Sequence, residues 1–172
     1  MNLVSIFFVL IHISFAILVI FLLLSFFTGA PFVPTPKDHT EEAIRLLKIK
    51  PSDVFVDLGS GDGRLLLLAA KQGARVIGWE INPFLVLYSK IRLIIAGFSG
   101  QSHVYWGDYR KANLTDATAL FIYALPTFMP ALEEKLSREL QSGCRIVVYK
   151  FTFPHWKIIK KTQTGLYYYI VT

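Results

Sequence analysis

Charged residues are missing from the first part of this chain. Residues 1–36 contain no Lys, Arg, Asp or Glu, so the formal net charge of +6 arises entirely from residues 37–172. Cys144 is the only cysteine, which excludes an intrachain disulfide and fits a reducing compartment. A block of consecutive Lys and Arg is also missing, so the sequence does not indicate nucleic acid binding. The four histidines and one cysteine follow no metal-ligand spacing, and we predict no metal centre.

The uncharged part is dominated by one apolar run, LVSIFFVLIHISFAILVIFLLLSFF, at residues 3–27. A helix rises ~1.5 Å per residue and needs about 20 residues to cross the hydrocarbon core of a bilayer. We therefore predict a transmembrane anchor over residues 1–28. A cleaved signal peptide is the alternative, but the run is long and no basic segment precedes it.

Basic residues follow the apolar run rather than precede it. The positive-inside rule then predicts a single-pass membrane protein whose C-terminal domain is cytoplasmic. The residues concerned are Lys37, Arg45, Lys48 and Lys50.

The rest of the chain alternates between strand and helix patterns. We predict a connector and helix over residues 29–52 and an α/β domain over residues 53–172. Seven strands with helices on both faces form a largely parallel, doubly wound sheet, and the last two strands form an antiparallel hairpin. The predicted strands are 54–58, 74–80, 103–106, 117–123, 144–153, 157–161 and 166–171. The first predicted helix is capped by Asp38 or Thr40 and runs to about Leu47, and the others are 64–72, 83–96 and 129–140.

A glycine-rich turn follows the first predicted strand in VFVDLGSGDGR, residues 54–64. Ligands of open α/β sheets bind beyond the carboxyl ends of the strands, and Gly59 and Gly61 allow a close approach there. The spacing G-x-G-x-G differs from that of dinucleotide binders. Asp57, which precedes the glycines, would repel a pyrophosphate but attract an ammonium and a sulfonium, the charges of S-adenosylmethionine. Asp62 is either a second acid of this site or the cap of the following helix.

Two further acids end the next two predicted strands. Glu80 lies 19 residues after Gly61, near the spacing at which an acid binds ribose hydroxyls. Asp108 is placed to accept a hydrogen bond from the adenine amino group. Each acid alone has an ordinary structural role, such as a helix cap or a turn cap. Three acids in order at consecutive strand ends favour one cofactor site.

Five stretches of the sequence carry a family resemblance: PFVPTP at 31–36, VDLGSGDGR at 56–64, GWEINPFLVLYSK at 78–90, LEEKLSREL at 132–140 and FTFPHW at 151–156. With these the chain resembles class I S-adenosylmethionine-dependent methyltransferases. It also resembles the membrane-anchored protein-lysine methyltransferases of the mitochondrial ATP synthase c-subunit and adenine nucleotide translocase type. It departs from them at Thr152, where proline is expected.

The resemblance implies a Rossmann-like, seven-stranded class I methyltransferase sheet and roles for particular residues. It implies that Thr35 closes over the methionine end of the cofactor. Further cofactor contacts are Asp57, Gly59, Gly61, Glu80 and Asp108. The acceptor lysine of a protein substrate is bordered by the segments around Tyr123 and around His155 and Trp156.

We predict that Tyr123, His155 and Trp156 form an aromatic wall that holds the acceptor amine, with His155 as a proton acceptor. The alternative is that His155 and Trp156 only end a strand and pack at the sheet edge. Two other functions stay open: methylation of a membrane small molecule such as an aminophospholipid or quinone, and a nucleotide-binding oxidoreductase or non-catalytic protein that binds NAD.

Overall fold

The computed structural model describes residues 2–27 and 33–172, and only the backbone of residues 21–27. It divides into two units, Met1–Val33 and Pro34–Thr172. Part of the predicted connector, residues 28–32, lies outside the described residues.

The first unit contains one helix, α1, Leu3–Phe27. None of the residues Leu3–Ile20 is buried, and the helix is long and apolar enough to cross a membrane. The polar side chain of His12 has a hydrogen-bond partner within the helix, because its Nδ1 lies 2.7 Å from the carbonyl oxygen of Phe8, one turn earlier. A proton on that nitrogen is therefore donated within the helix itself.

The second unit alternates strands and helices, as the sequence predicts. Its helices and strands follow in the order α2 Lys37–Leu47, β1 Val54–Leu58, α3 Arg64–Lys71, β2 Arg75–Glu80, α4 Pro83–Ile95, β3 Ser102–Trp106, β4 Ala119–Ile122, α5 Met129–Glu139, β5 Arg145–Tyr149, β6 Lys160–Lys161 and β7 Leu166–Ile170. Three short 3₁₀ helices lie at Ser99–Gln101, Tyr109–Lys111 and Pro126–Phe128.

The seven strands form one sheet in the order β3-β2-β1-β4-β5-β7-β6. Strands β1 to β5 run parallel to one another. Strand β7 is antiparallel to β5, and β6 is antiparallel to β7. The predicted Rossmann-like sheet with a terminal hairpin is confirmed. The strand order reverses between β1 and β4, so the end of β1 lies at the switch point, where ligands bind in such sheets.

Apolar layers cover both faces of the sheet. Helices α2, α3 and α4 pack on one face through residues such as Leu47, Leu66 and Leu93. Helix α5 packs on the other face, where Leu136 contributes to a separate cluster. Strand β4 is buried along its whole length, as expected for a central parallel strand covered on both sides.

Several predicted boundaries are wrong. Strand β5 ends at Tyr149 rather than at residue 153, because Lys150 takes a left-handed conformation with φ of 68°. The predicted strand 157–161 shortens to Lys160–Lys161. Neither Asp38 nor Thr40 caps helix α2, which starts at Lys37, and the Thr40 hydroxyl instead donates to the Lys37 carbonyl at 2.6 Å.

Candidate active site

The glycine-rich turn between β1 and α3 is held against the end of β2 by backbone hydrogen bonds. The amides of Gly59 and Ser60 both donate to the carbonyl of Trp79 at 2.9 Å. The Gly61 amide donates to Glu80 Oε2, also at 2.9 Å. Gly59 has a φ of 90°, which an L side chain rarely adopts, and a Cβ built there meets no atom within 4 Å. The turn therefore presents backbone next to open space.

Asp57, the last residue but one of β1, is only 2% exposed. Among the described residues its carboxylate has no hydrogen-bond partner, which is unusual for a buried charge. Burial, and then the negative charges of Glu80 and Asp62, raise the pKa of Asp57 well above its ordinary value. A buried carboxylate beside two others fits a positively charged ligand, as the sequence predicts.

Glu80 is buried, and both of its carboxylate oxygens accept backbone hydrogen bonds. Oε2 accepts from Gly61, and Oε1 accepts from the Asn82 amide at 2.8 Å. These bonds fix the carboxylate and leave each oxygen a second lone pair for a ligand diol. Glu80 is not the helix cap, because Asn82 Oδ1 accepts the Phe84 amide at 3.0 Å and caps α4.

Asp108 lies just after β3 and caps a short 3₁₀ helix. Its Oδ1 accepts from the Arg110 amide at 2.9 Å and its Oδ2 from Arg110 Nε at 2.7 Å. The hydrogen bond from the Arg110 side chain is the main cause that lowers the pKa of Asp108. The neighbouring Gly107 amide donates to the Glu80 carbonyl at 2.9 Å, so the ends of β2 and β3 are joined beside the predicted adenine contact.

Two arginines to which the sequence assigned no role organise the turn. Asp62 accepts from Arg64 Nε and from Arg92 NH1, each at 2.9 Å. Burial is the largest single influence and acts to raise the pKa of Asp62, but the hydrogen bonds from Arg64 and the positive charges of Arg64 and Arg92 together outweigh it, and the pKa is lowered. Arg64 NH1 also donates to the Thr35 carbonyl at 2.7 Å. Asp62 thus positions Arg64, which in turn binds the connector at Thr35. The signal in the sequence was Arg64 itself, directly after the third glycine.

Tyr123 lies at the end of β4 in a small aromatic cluster. Its ring contacts Tyr149 edge-on, with the centroids 4.8 Å apart. Lys150 Nζ lies 5.6 Å from the Tyr123 centroid and 5.4 Å from the Tyr149 centroid. His39 Nδ1 is 3.1 Å from the Tyr149 hydroxyl and holds that ring. The sequence pointed to Tyr123 but not to these partners, which come from two other elements.

His155 and Trp156 are arranged around a different residue, Glu133 of α5. The buried Glu133 carboxylate accepts from the backbone amides of His155 at 3.0 Å and Trp156 at 2.6 Å, and lies 2.9 Å from His155 Nδ1. The Trp156 ring packs on Phe153, with the centroids 4.9 Å apart. Trp156 and Tyr123 pack against different apolar clusters. The structure thus gathers His155 and Trp156 around Glu133 and places Tyr123 beside Tyr149, and a common wall of the three around an acceptor amine stays a prediction.

Comparison with known proteins gives one family. The ANTKMT methyltransferase domain family matches residues 57–160. The Mus musculus enzyme named as the lysine N-methyltransferase of the ATP synthase c-subunit is 38% identical over 136 residues, which cover 79% of this chain and 55% of the mouse protein. The chain thus spans little more than half the length of that relative.

Two other relatives are covered almost end to end. A protein-lysine N-methyltransferase of Saccharolobus islandicus is 27% identical over 157 residues, 86% of this chain and 98% of the relative. The crystal structure of an RNA methyltransferase from Salinibacter ruber in complex with S-adenosyl-L-homocysteine is 31% identical, with a TM-score of 0.78 over 81% of this chain and 94% of that chain.

Proposed function

Because the chain belongs to the ANTKMT methyltransferase domain family, we propose that it transfers the methyl group of S-adenosylmethionine to a lysine side chain of a protein. The observation that carries the proposal is the buried, unpaired carboxylate of Asp57 at the glycine turn, among the described residues. When bound, S-adenosylmethionine supplies a methyl group on a positively charged sulfur. The protein has to align the acceptor amine with this methyl group and to exclude water from both, because the electrophile is already activated.

In this proposal each residue at the strand ends binds a different part of the cofactor. Asp57 faces the cationic methionine part, and Glu80 accepts hydrogen bonds from the ribose diol. Asp108 lies on the adenine side. Thr35, joined to the turn through Arg64, closes the methionine end. Gly59 and Gly61 keep the approach open.

Binding of NAD is disfavoured by the same charges. A pyrophosphate would meet the carboxylates of Asp57 and Glu80, and no basic side chain of the described residues contacts either of them. The structural relative from Salinibacter ruber was crystallised with S-adenosyl-L-homocysteine, a ligand without phosphate.

A protein lysine is favoured as acceptor by the tyrosine pair Tyr123 and Tyr149. Their rings already hold one ammonium group, that of Lys150. Interaction with the Tyr123 hydroxyl is the main cause that raises the pKa of Lys150, so this position favours a charged ammonium. An acceptor lysine held here arrives as an ammonium and must lose its proton before transfer, since its free pKa is ~10.4.

We further propose that helix α1 anchors the protein in a membrane, with the second unit on the cytoplasmic side. The helix meets the length and composition of a membrane span, and the first basic residues follow it. The relative from mouse is named for the c-subunit of ATP synthase, and by analogy we propose a membrane protein as the substrate.

The proposal is tested by incubating the full chain with native membranes and methyl-labelled S-adenosylmethionine, then separating protein, lipid and RNA. We expect the label in protein, as methyl-lysine after hydrolysis. The Glu80→Ala variant is the matched control, and it should leave no label in any fraction. Label in the lipid extract alone would indicate a small-molecule acceptor, and label in RNA alone would indicate the activity named for the Salinibacter relative. Either result overturns the lysine assignment.

A further inference from the structure

Helix α4 is apolar on two opposite faces. Val86, Ser89 and Leu93 are buried against the sheet. The opposite face carries large hydrophobic side chains that are well exposed: Leu87 58%, Tyr88 56%, Ile91 46%, Ile94 60% and Ile95 81%. At about 100° per residue these five positions fall within an arc of about 120°. They form one continuous stripe, which we call the α4 stripe.

The outer face of α5 shows what an ordinary surface helix of this domain looks like. None of its exposed positions carries a large hydrophobic side chain, and Arg138 pairs with Glu134 one turn before it at 2.6 Å. A folded domain rarely exposes a contiguous apolar surface unless that surface has a partner. The α4 stripe therefore needs an explanation that α5 does not.

The charged residues of α4 itself are all basic. No Asp or Glu lies anywhere in residues 81–107. Lys90 and Arg92 flank the stripe on its two sides, as their positions on the helix require. Arg92 is paired with Asp62, while Lys90 is exposed. An apolar stripe that contains no acid and has the exposed base Lys90 at its edge is complementary to an anionic lipid surface.

An exposed indole extends the stripe beyond the N-terminal end of α4. Trp106 is 70% exposed, and its Nε1 donates to the carbonyl of Ile81 at 3.0 Å. Ile81, itself exposed, lies two residues before the helix. Tryptophan with its polar atom satisfied and its ring exposed is enriched at the boundary between lipid and water.

We propose that the α4 stripe, with Trp106 and Ile81, lies in the interfacial layer of the bilayer in which α1 is anchored. Residues 28–36 separate α1 from α2. Even fully extended, such a connector reaches only roughly 35 Å, so an anchored chain keeps its second unit at the membrane surface. The inference rests on the proposed anchoring, and it adds which face of the second unit meets the lipid.

The proposed contact also orients the candidate active site. Helix α4 begins three residues after Glu80, at the edge of the sheet where the cofactor residues lie. Burying its outer face in the interface holds that edge near the headgroups. An acceptor lysine of a membrane protein, close to the bilayer surface, is then within reach.

Fluorescence quenching on the full chain in liposomes tests the inference. One variant carries Ile94→Cys in the stripe, and the matched control carries Glu134→Cys on the outer face of α5, each labelled with an environment-sensitive fluorophore. Burial raises the pKa of the native Cys144 thiol to about 12, so it does not compete for the label. Flotation of the liposomes first establishes, separately, that the chain is anchored.

We expect the label at position 94 to be quenched by lipids with shallow nitroxide groups and to be several-fold less accessible to aqueous iodide than the label at position 134. Equal iodide access at both positions, in a chain that floats with the liposomes, overturns the inference and leaves the anchoring intact. Protection from iodide without lipid quenching also overturns it, because a protein then covers the stripe. A chain that does not float refutes the anchoring itself, and the stripe proposal with it.

Discussion

At the scale of single residues, the protonation state of Asp57 is coupled to cofactor binding at the candidate site. Its carboxyl group is buried next to Glu80 and Asp62, and its pKa is raised well above the ordinary value by burial first and by those charges second. A cationic ligand stabilises the carboxylate and so lowers that pKa. Binding of the cofactor should therefore release a proton wherever the free protein holds one on Asp57.

Cofactor affinity is accordingly expected to rise with pH, up to the raised pKa of Asp57, and to level off above it. Calorimetry with S-adenosylmethionine in two buffers of different ionisation enthalpy measures the released proton directly. The Asp57→Asn variant should bind more weakly and without this pH dependence. Identical proton release in the wild type and the variant would show that another group titrates.

The same carboxylate should cost stability in the absence of ligand. Its folded pKa lies above the unfolded one, so its favourable contribution is present below the unfolded pKa and is lost as pH rises through the folded pKa. Asp57→Asn should thus stabilise the ligand-free protein at pH 8, on the order of 1 kcal/mol or more, because the amide is polar but carries no charge that burial and the neighbouring acids disfavour. Urea unfolding at pH 8 and near pH 4 measures this, and the gain should shrink at the lower pH.

Tyr123 is expected to act on the acceptor and not on the cofactor. Tyr123→Ala removes one of the two rings that hold an ammonium, an interaction worth about 0.5–2 kcal/mol. The KM for a lysine-containing acceptor should rise, while the Kd for S-adenosyl-L-homocysteine should stay unchanged. His155→Ala is the control, because the His155 side chain is 85% exposed and belongs to the separate group around Glu133. An equal KM effect in both variants would contradict the assignment to the tyrosine pair.

At the scale of elements, Arg145 joins the start of β5 to the end of α2 and to the start of β1. From the first position of β5 its NH1 donates to the carbonyls of Leu47 at 2.5 Å and Lys48 at 2.9 Å, at the end of α2, and its NH2 pairs with Asp53 beside the start of β1. Burial acts to raise the pKa of Asp53, but the hydrogen bond from Arg145 and further hydrogen bonds outweigh it, and the pKa is lowered.

Removing this arginine should destabilise the domain. Arg145→Met leaves the Asp53 carboxylate buried without its charged partner, which typically costs about 3–5 kcal/mol. Because the folded pKa of Asp53 is lowered, its contribution is present above the unfolded pKa and is lost as pH falls through the folded pKa. Urea unfolding should show the loss at pH 7, and Asp53→Asn in the same chain should restore part of it. No restoration in the double variant would mean that the carbonyl contacts dominate.

Elements whose signals are local were predictable from the sequence, and contacts between strand ends were not. Strand β1 and the start of α3 follow from an apolar run that meets three glycines. The end of β5 was wrong because nothing in the sequence marks Lys150 as left-handed. The Tyr123–Tyr149 pair was missed because it depends on which strands become neighbours. The contact of Trp156 with Glu133 was missed because Glu133 is a distant residue of α5.

At the scale of the whole molecule, charge and hydrophobicity are divided between two units. Every Lys, Arg, Asp and Glu lies after residue 36, in the unit that carries the candidate active site. The other unit carries the apolar helix α1. Its role in the proposed function is therefore to hold the site at a membrane, and its orientation decides which compartment supplies the cofactor.

We expect the full chain to stay in the membrane pellet after alkaline carbonate extraction, because α1 buries its apolar side chains in the hydrocarbon core.

The C-terminal end should be degraded by a protease only when the protease is added to the cytoplasmic side. Changing Lys37, Lys48 and Lys50 to Gln removes most of the positive charge that follows α1, so this variant should show mixed orientation. Release of the wild type by carbonate would contradict the anchor. Protection of its C-terminal end from cytoplasmic protease would instead reverse the topology, and S-adenosylmethionine would then have to be available on the opposite side of the membrane.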